Sequence, residues 1–138
     1  GMGENREDRV DLALEVRAID ANVVPVNILN PIPGTPLEKQ KPVATWELVR
    51  MIATTRIVLP RSFVRLSAGR LGRSTETQAL CFLAGANSIF SGDKLLTTPN
   101  PEFDEDKQLF ELLGLKSLDP TTKEGHAAPA SHAAASCC

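Results

Sequence analysis

Arg65 is the residue whose type and position could do chemistry most directly. It lies in the middle of a short apolar and β-branched run, residues 62–70, which ends on a glycine and a second arginine. If the run is a strand, Arg65 shares one face with Phe63 and Ser67 and leaves the other face apolar. Arginine keeps its charge in a protein, so an inward-facing Arg65 needs an anion, a carboxylate or a metal cluster beside it. The alternative is an edge strand with Arg65 in water, and the pattern leaves both interpretations open.

The elements that must hold Arg65 alternate between helices and short strands. Apolar residues at helical spacing predict helices at about residues 6–19, 42–58, 75–84 and 104–113. Short β-branched runs predict strands at residues 23–29, around Arg65 and at residues 86–91. Helices between short strands imply parallel pairing through right-handed crossovers. The first helix carries a broad apolar stripe that includes Leu12, Leu14 and Ile19.

Local signals refine these elements. Trp46 lies at helical spacing with other apolar residues and is expected in the core. The third helix is expected to be capped by Ser74 or by a capping box of Thr75 and Gln78. Residues 92–101 contain glycine and two prolines and are expected to form a long loop before the last helix.

Composition excludes several classes of protein. The chain has 138 residues, a net charge of −2 and 42% hydrophobic residues, which is enough for one core at most. No run reaches the ~18 apolar residues typical of a membrane span, and the balanced charge argues against a general nucleic-acid binder. The acidic residues 1–8 lack the order of a secretory signal. The expected partner is therefore a small molecule or another protein.

The composition changes near residue 117. Residues 117–138 are rich in alanine, serine, threonine and proline, lack aromatic residues and are predicted to be a disordered tail behind an ordered region, residues 1–116. A flexible tail has no surrounding groups to orient metal ligands. This argues against a metal site built from the histidines and cysteines of the tail, which are His126, His132, Cys137 and Cys138. Cys81 lies at helical spacing with apolar residues and is expected to be a buried small side chain rather than a nucleophile.

The predicted sheet is incomplete by itself. Three strands with helices on one side leave a bare face, whereas parallel sheets are normally covered on both faces. The polar residues within the strands, Asn27, Arg65 and Ser88, are expected to share this bare face. A closed (β/α)8 barrel of the TIM type resolves the conflict, because its bare face is the interior and its ligand site lies at the carboxyl ends of the strands. The chain would then supply about three of the eight βα units.

Several motifs resemble the carboxyl-terminal part of the biotin synthases, a family of radical S-adenosylmethionine enzymes. They occur in the same order as in the family and cover about residues 1–115. The longest are VRLSAGR at 64–70, AGANSIF at 84–90 and LLTTPNP at 95–101; VPVN at 24–27 and GTPL at 34–37 also fit. GMGE at 1–4 resembles half of the glycine-rich segment near the S-adenosylmethionine site.

The resemblance implies a reaction and its cofactors. The family inserts sulfur into dethiobiotin to form biotin, using a 4Fe-4S cluster that cleaves S-adenosylmethionine to a 5′-deoxyadenosyl radical and a 2Fe-2S cluster that donates sulfur. The expected partners are therefore dethiobiotin, S-adenosylmethionine, a second copy in a homodimer, and proteins that assemble iron–sulfur clusters and donate electrons. Neither nucleic acid nor a membrane is an expected partner.

The resemblance also assigns residues. Arg65 matches the unusual arginine ligand of the 2Fe-2S cluster, and Ser88 matches a neighbour that helps to position it. Asn27 matches a residue that contacts the dethiobiotin ring. Thr97 and Thr98 match the loop that receives the carboxylate tail, although they could simply shape a turn. Glu4 falls in the segment associated with S-adenosylmethionine.

The chain departs from the family in its cysteines. None has the spacing of either cluster, including the Cys-x-x-x-Cys-x-x-Cys of the 4Fe-4S cluster, so the chain alone is expected to be inactive. The tail resembles extensions of eukaryotic members, which implies a mitochondrial enzyme; otherwise a cytoplasmic one is expected. Two alternatives stay open: a sister radical enzyme, such as the tyrosine lyase of thiamine synthesis, and a non-catalytic binding or assembly module.

Overall fold

The computed structural model describes residues 1–90, 94–95, 98–99 and 103–118. The predicted tail beyond residue 118, with its histidines and cysteines, lies outside the described residues, as does Thr97. In the described part, no helix has both the length and the apolar character needed to cross a membrane. The elements in chain order are α1 (Arg6–Ala18), β1 (Val23–Val26), α2 (Thr45–Val58), β2 (Phe63–Leu66), a 3₁₀ turn (Arg70–Gly72), α3 (Thr75–Leu83), β3 (Ser88–Ile89), β4 (Lys94–Leu95), β5 (Thr98–Pro99) and α4 (Phe103–Leu113).

The sheet confirms the predicted parallel pairing. Its strand order is β1-β2-β3, with Pro25 beside Arg65 and Arg65 beside Ser88. Because β2 is the central strand, the interpretation of an edge strand with Arg65 in water is wrong. The predicted long loop is also wrong in part, because β4 and β5 pair antiparallel as a small hairpin within it.

Alternation along β2 separates an apolar face from a mixed one, as predicted. Val64 and Leu66 are buried, whereas Phe63 and Arg65 are partly exposed. The buried face packs against α2 and α3 through a cluster of apolar side chains, which includes Val26, Ile28, Leu48, Ile52, Cys81 and Ala86. Each large side chain in this cluster contributes roughly 1.5–3 kcal/mol by leaving water.

Two asparagines lie where the sheet ends, and the sheet is shorter than predicted at both outer strands. At the end of β1, Oδ1 of Asn27 accepts a hydrogen bond from the backbone N–H of Ala68 at 3.2 Å. Just before β3, Oδ1 of Asn87 accepts from the N–H of Val64 at 2.8 Å. Each side chain accepts one hydrogen bond from the neighbouring strand, and backbone bonds continue beside it, from Ile28 to Ala68 at 2.9 Å and from Asn87 to Val64 at 3.0 Å.

Helix starts follow their side-chain caps. Asn5 and Asp8 form a capping box at α1, with N–H to oxygen distances of 3.0 and 2.8 Å. Oγ of Ser74 accepts from the N–H of Thr77 at 3.3 Å, so the Ser74 cap is the correct alternative for α3. α2 has no side-chain cap and begins at Thr45, about three residues later than predicted.

The prediction that Trp46 lies in the core is wrong. Its side chain is 61% exposed, because α2 turns Leu48, Ile52 and Thr55 toward the sheet instead. Both sides of this helix carry apolar residues, so spacing alone did not determine which side is buried.

The apolar stripe of α1 is largely uncovered. Leu12, Leu14 and Ile19 are exposed, and Ala13 is the buried residue of the helix. α1 packs on α2, and its apolar side chains border an open groove of about 1060 Å³ beside β1. The stripe therefore lies beside space that nothing in the described part of the chain fills.

Candidate functional site

Three of the predicted site residues come from the three parallel strands. Arg65 lies in β2, Ser88 begins β3, and Asn27 directly follows β1. The register places Arg65 beside Ser88 and beside Pro25, which is two residues before Asn27. Because side chains two residues apart point the same way, all three lie on the face of the sheet opposite the helices. The predicted shared face is thus present.

Arg65 and Ser88 contact each other directly. Nε of Arg65 donates a hydrogen bond to Oγ of Ser88 at 3.1 Å. Within the described residues this is the one hydrogen bond of the Arg65 side chain, so its two terminal nitrogens have donors to offer. The serine thus fixes the plane of a partly exposed guanidinium on the bare face.

Gly69 brings the ends of β1 and β2 together. Its φ of +82° lies in the left-handed region, and a Cβ on it would lie 2.4 Å from the carbonyl oxygen of Ile28. Any other residue would collide with that backbone. The close approach is what allows Asn27 to reach the N–H of Ala68 with its Oδ1. Its amide nitrogen makes no hydrogen bond among the described residues and can donate to a ligand.

Glu4, just before α1, borders the same groove as Asn27. Arg9 pairs with Glu4 at 2.9 Å and reaches Glu47 on α2 at 3.4 Å. Glu4 is therefore an anchored carboxylate beside the groove, whereas Arg65 and Ser88 are not among the groove residues.

The structure describes the remaining predicted residues only in part. Thr98 pairs with Leu95 in the hairpin of β4 and β5, but its side chain lies outside the described part, as does all of Thr97. Cys81 is fully buried, as expected, and desolvation raises the pKa of its thiol to about 11. Among residues 1–90 and the other described positions, no three histidine, cysteine or acidic side chains cluster as a metal site would require.

The sequence prediction missed a second arginine. Arg70 is 2% exposed and forms a two-pronged ion pair with Asp106, with Nη1–Oδ1 at 2.6 Å and Nη2–Oδ2 at 2.7 Å. Nη1 also donates to Oε1 of Gln78 at 3.2 Å, and Nη2 to the carbonyl of Phe90 at 3.4 Å.

One signal could have pointed to this pair. Asp106 shares its side of α4 with Leu109 and Phe110, three and four residues later. Leu109 is buried, and Phe110 packs edge-on against Phe82 with ring centroids 5.6 Å apart. A carboxylate on the apolar side of a helix needs a buried cation, although spacing cannot identify that cation across 36 residues.

Comparisons with known proteins give a consistent result. The family model described as the Biotin and Thiamin Synthesis associated domain matches residues 25–116. A protein of Cytophaga hutchinsonii named biotin synthase is 60% identical over 118 residues, which are 84% of this chain and 35% of that protein. One of Flavobacterium psychrophilum with the same name is 54% identical over 125 residues, 89% of this chain and 34% of that protein.

A plant relative shows a similar identity. A protein of Arabidopsis thaliana named biotin synthase, mitochondrial, is 54% identical over 126 residues, which are 90% of this chain and 33% of that protein. The chain therefore spans about a third of the length of the curated relatives it matches.

Proposed function

Because the chain belongs to the Biotin and Thiamin Synthesis associated domain family, we propose that it forms part of a biotin synthase that inserts sulfur into dethiobiotin. The observation that carries this proposal is the 54–60% identity, over more than four fifths of the chain, to relatives with that name. The pair of Arg65 and Ser88 on the bare face of the sheet supports it. The rest of the active site would come from the two thirds of the relatives' length that the chain does not match.

The sheet fits a segment of a (β/α)8 barrel. The helices pack in chain order, α1 on α2, α2 on α3 and α3 on α4, beside the strand order β1-β2-β3. This is the arrangement of successive βα units. The groove between α1 and the open edge of β1 has room for a further strand, and the apolar stripe of α1 would cover it. Residues 1–116 would then be the barrel segment and residues 117–138 the tail.

Arg65 and Ser88 fit one ligand position of a 2Fe-2S site. Arg65 offers terminal guanidinium nitrogens on the bare face, and Ser88 holds its Nε. The thiolates of both clusters would come from outside this segment, since no cysteine lies on that face in the described residues. When bound, the 4Fe-4S cluster supplies cleavage of S-adenosylmethionine and the 2Fe-2S cluster supplies sulfur.

The other site residues would bind and orient the substrates. The amide of Asn27 would donate to the ring of dethiobiotin, because its own oxygen is already held by Ala68. Hydroxyl and N–H groups of Thr97 and Thr98 would bind the carboxylate tail, as such groups suit an anion. Glu4, anchored by Arg9, would contact S-adenosylmethionine.

The partners and location follow from the same proposal. The complete enzyme would be a homodimer served by iron–sulfur assembly and electron-donor proteins. A mitochondrial location is supported by the name of the Arabidopsis relative, whereas the bacterial relatives favour the cytoplasm.

A chimeric enzyme tests the proposal directly. Residues 1–116 would replace the matching segment of the Cytophaga hutchinsonii relative, and biotin formed from dethiobiotin, S-adenosylmethionine and a reductant would be measured. We expect biotin formation within an order of magnitude of the unmodified relative, since most side chains of the segment are identical. A chimera that carries both clusters but forms no biotin would refute the assignment.

The family description keeps one alternative open, because it also includes thiamine synthesis. A tyrosine lyase would cleave tyrosine instead of using dethiobiotin. The full-length enzyme that contains this segment should therefore be assayed with both substrates, and tyrosine cleavage without biotin formation would select the alternative.

A further inference from the structure

Ser67 is a buried polar residue whose hydroxyl makes no hydrogen bond within the described residues. The residue is 7% exposed. A buried hydroxyl without a partner is costly, because folding has removed its hydrogen bonds to water. Its Oγ is not among the polar atoms that are fully enclosed without a partner, so the small exposed fraction includes the hydroxyl and a ligand can reach it.

Ser62 shows how another buried serine beside the same strand is satisfied. It directly precedes β2, is also 7% exposed, and its Oγ donates to the carbonyl of Ala21 at 2.7 Å. Ser67 directly follows β2 at the carboxyl end of the strand. The two serines therefore flank one strand with equal burial, but in the described part of the chain only the hydroxyl of Ser62 is paired.

Ser67 continues the face of the sheet that carries Arg65. Its N–H donates to the carbonyl of Val26 at 3.2 Å, so the pairing with β1 extends one residue beyond the regular part of β2. Side chains two residues apart in a strand point the same way and lie about 6–7 Å apart. The hydroxyl of Ser67 is thus on the face of the predicted site, beyond Arg65 toward the carboxyl end of the strand.

The neighbour of Ser67 on the adjacent strand is Asn27. The register pairs Val26 with Leu66, and the next residue of each strand belongs to this pair. Adjacent strands are about 4.8 Å apart, and Oδ1 of Asn27 reaches across to the N–H of Ala68, the residue after Ser67. A group that meets the amide of Asn27 on this face is therefore within reach of the hydroxyl of Ser67.

We propose that Ser67 is a further substrate-binding residue, whose hydroxyl forms a hydrogen bond with the ring of dethiobiotin beside Asn27; this rests on the proposed function. The ring is a cyclic urea, with a carbonyl oxygen that accepts and N–H groups that donate, and a hydroxyl can bond to either. Asn27 offers its N–H donors, because its oxygen is held by the N–H of Ala68. Bonds to two neighbouring strands then fix the orientation of the ring relative to the sulfur centre proposed at Arg65.

The test uses the full-length enzyme that contains this segment, with the variant Ser67→Ala and the matched control Ser62→Ala. Equilibrium dialysis measures binding of labelled dethiobiotin, and urea unfolding is followed without substrate. We expect Ser67→Ala to weaken binding about three- to tenfold, as one lost hydrogen bond does, with an unchanged urea midpoint. Ser62→Ala should do the reverse, with unchanged binding and a lower midpoint, because it loses the bond to Ala21.

The use of S-adenosylmethionine gives a second measurement. A ring that is held less firmly leaves more 5′-deoxyadenosyl radicals without a productive reaction at the substrate. Ser67→Ala should therefore form more 5′-deoxyadenosine per biotin than the unmodified enzyme, whereas Ser62→Ala should keep the unmodified ratio.

Three results would overturn the proposal. Unchanged binding of dethiobiotin in Ser67→Ala would remove the contact. A lower urea midpoint without substrate would show that the hydroxyl pairs with another part of the chain, and an altered 2Fe-2S spectrum with unchanged binding would show that it faces the cluster. An unmodified enzyme that neither binds dethiobiotin nor forms biotin refutes the proposed function instead.

Discussion

Two arginines five residues apart illustrate how differently one side chain can be used. Arg65, within β2, is partly exposed on the bare face of the sheet and donates to one serine hydroxyl among the described residues. Arg70, just beyond the strand, is buried and paired through both terminal nitrogens with a carboxylate. The buried, paired arginine is suited to holding structure, whereas the partly exposed one can meet a ligand.

The backbone between them explains the difference. Strand alternation turns Arg65 to the face opposite the helices. Gly69 then adopts a left-handed conformation and directs the chain into the 3₁₀ turn, which carries Arg70 toward α3 and α4. One glycine therefore separates a partly exposed arginine from a buried one.

Removal of the buried guanidinium should have the largest effect on stability. Arg70→Met in the full-length enzyme leaves the carboxylate of Asp106 buried without its cation, which should cost about 3–5 kcal/mol of unfolding free energy. Arg65→Met should cost less than about 1 kcal/mol, because its hydrogen bond lies at a partly exposed site. Urea unfolding of both variants measures the two changes in unfolding free energy. Equal losses would contradict the proposed difference between the two arginines.

Replacement of Arg65 should affect the cluster and the reaction instead. Arg65→Lys keeps a positive charge without the planar fork, and Arg65→Ala loses both. Both should assemble a 2Fe-2S cluster on the expected thiolates with an altered spectrum, and biotin yield should fall on the order of tenfold, more in Arg65→Ala. A normal cluster spectrum together with a normal biotin yield would refute the assignment of Arg65 as a cluster ligand.

Removal of the serine hydroxyl should give a smaller change of the same kind. Ser88→Ala loses the 3.1 Å hydrogen bond to Arg65, which is worth about 0.5–1.5 kcal/mol. Biotin yield should fall a few-fold, and the loss should disappear when Arg65 is already alanine. Equal losses in both backgrounds would mean that Ser88 acts independently of Arg65.

Deletion of the tail should change least. Removing residues 117–138 takes away the histidines and cysteines that could compete with Arg65 as cluster ligands. Iron, sulfide and biotin formed per enzyme should stay unchanged, because a segment of this composition, without aromatic residues and poor in large apolar ones, adds little to a core. Loss of either cluster would make the tail, and not only Arg65, part of the metal chemistry.

The sequence predicted what depends on local periodicity. Alternation placed Val64 and Leu66 in the core and Arg65 on the opposite face, and the order of helices and strands predicted a parallel sheet. It did not predict the exposure of Trp46, because α2 has apolar residues on more than one side and the choice depends on which side meets the sheet. Contacts between distant segments, such as Arg70 with Asp106, produce almost no recognisable pattern in the local sequence.

The site could be predicted only through resemblance to a family. The hydrogen bond between Arg65 and Ser88 agrees with the expected neighbourhood. The roles of Asn27, Glu4 and Thr98 as ligands stay predictions, because they depend on molecules and chain segments beyond the described residues.

The burial of Cys81 limits how readily its thiol reacts with other sulfur compounds. With a pKa near 11, roughly one thiol in a thousand is ionised at pH 8, and the thiolate is the form that reacts with oxidants and other sulfur species. An exposed thiolate would attack the S–S bond of a nearby disulfide or persulfide and form a mixed disulfide, with the other sulfur leaving as a thiolate. Packed behind the sheet among α2 and α3 side chains, Cys81 is kept out of that exchange. The sulfur-donating centre that we propose beside this sheet would therefore not lose sulfur to Cys81.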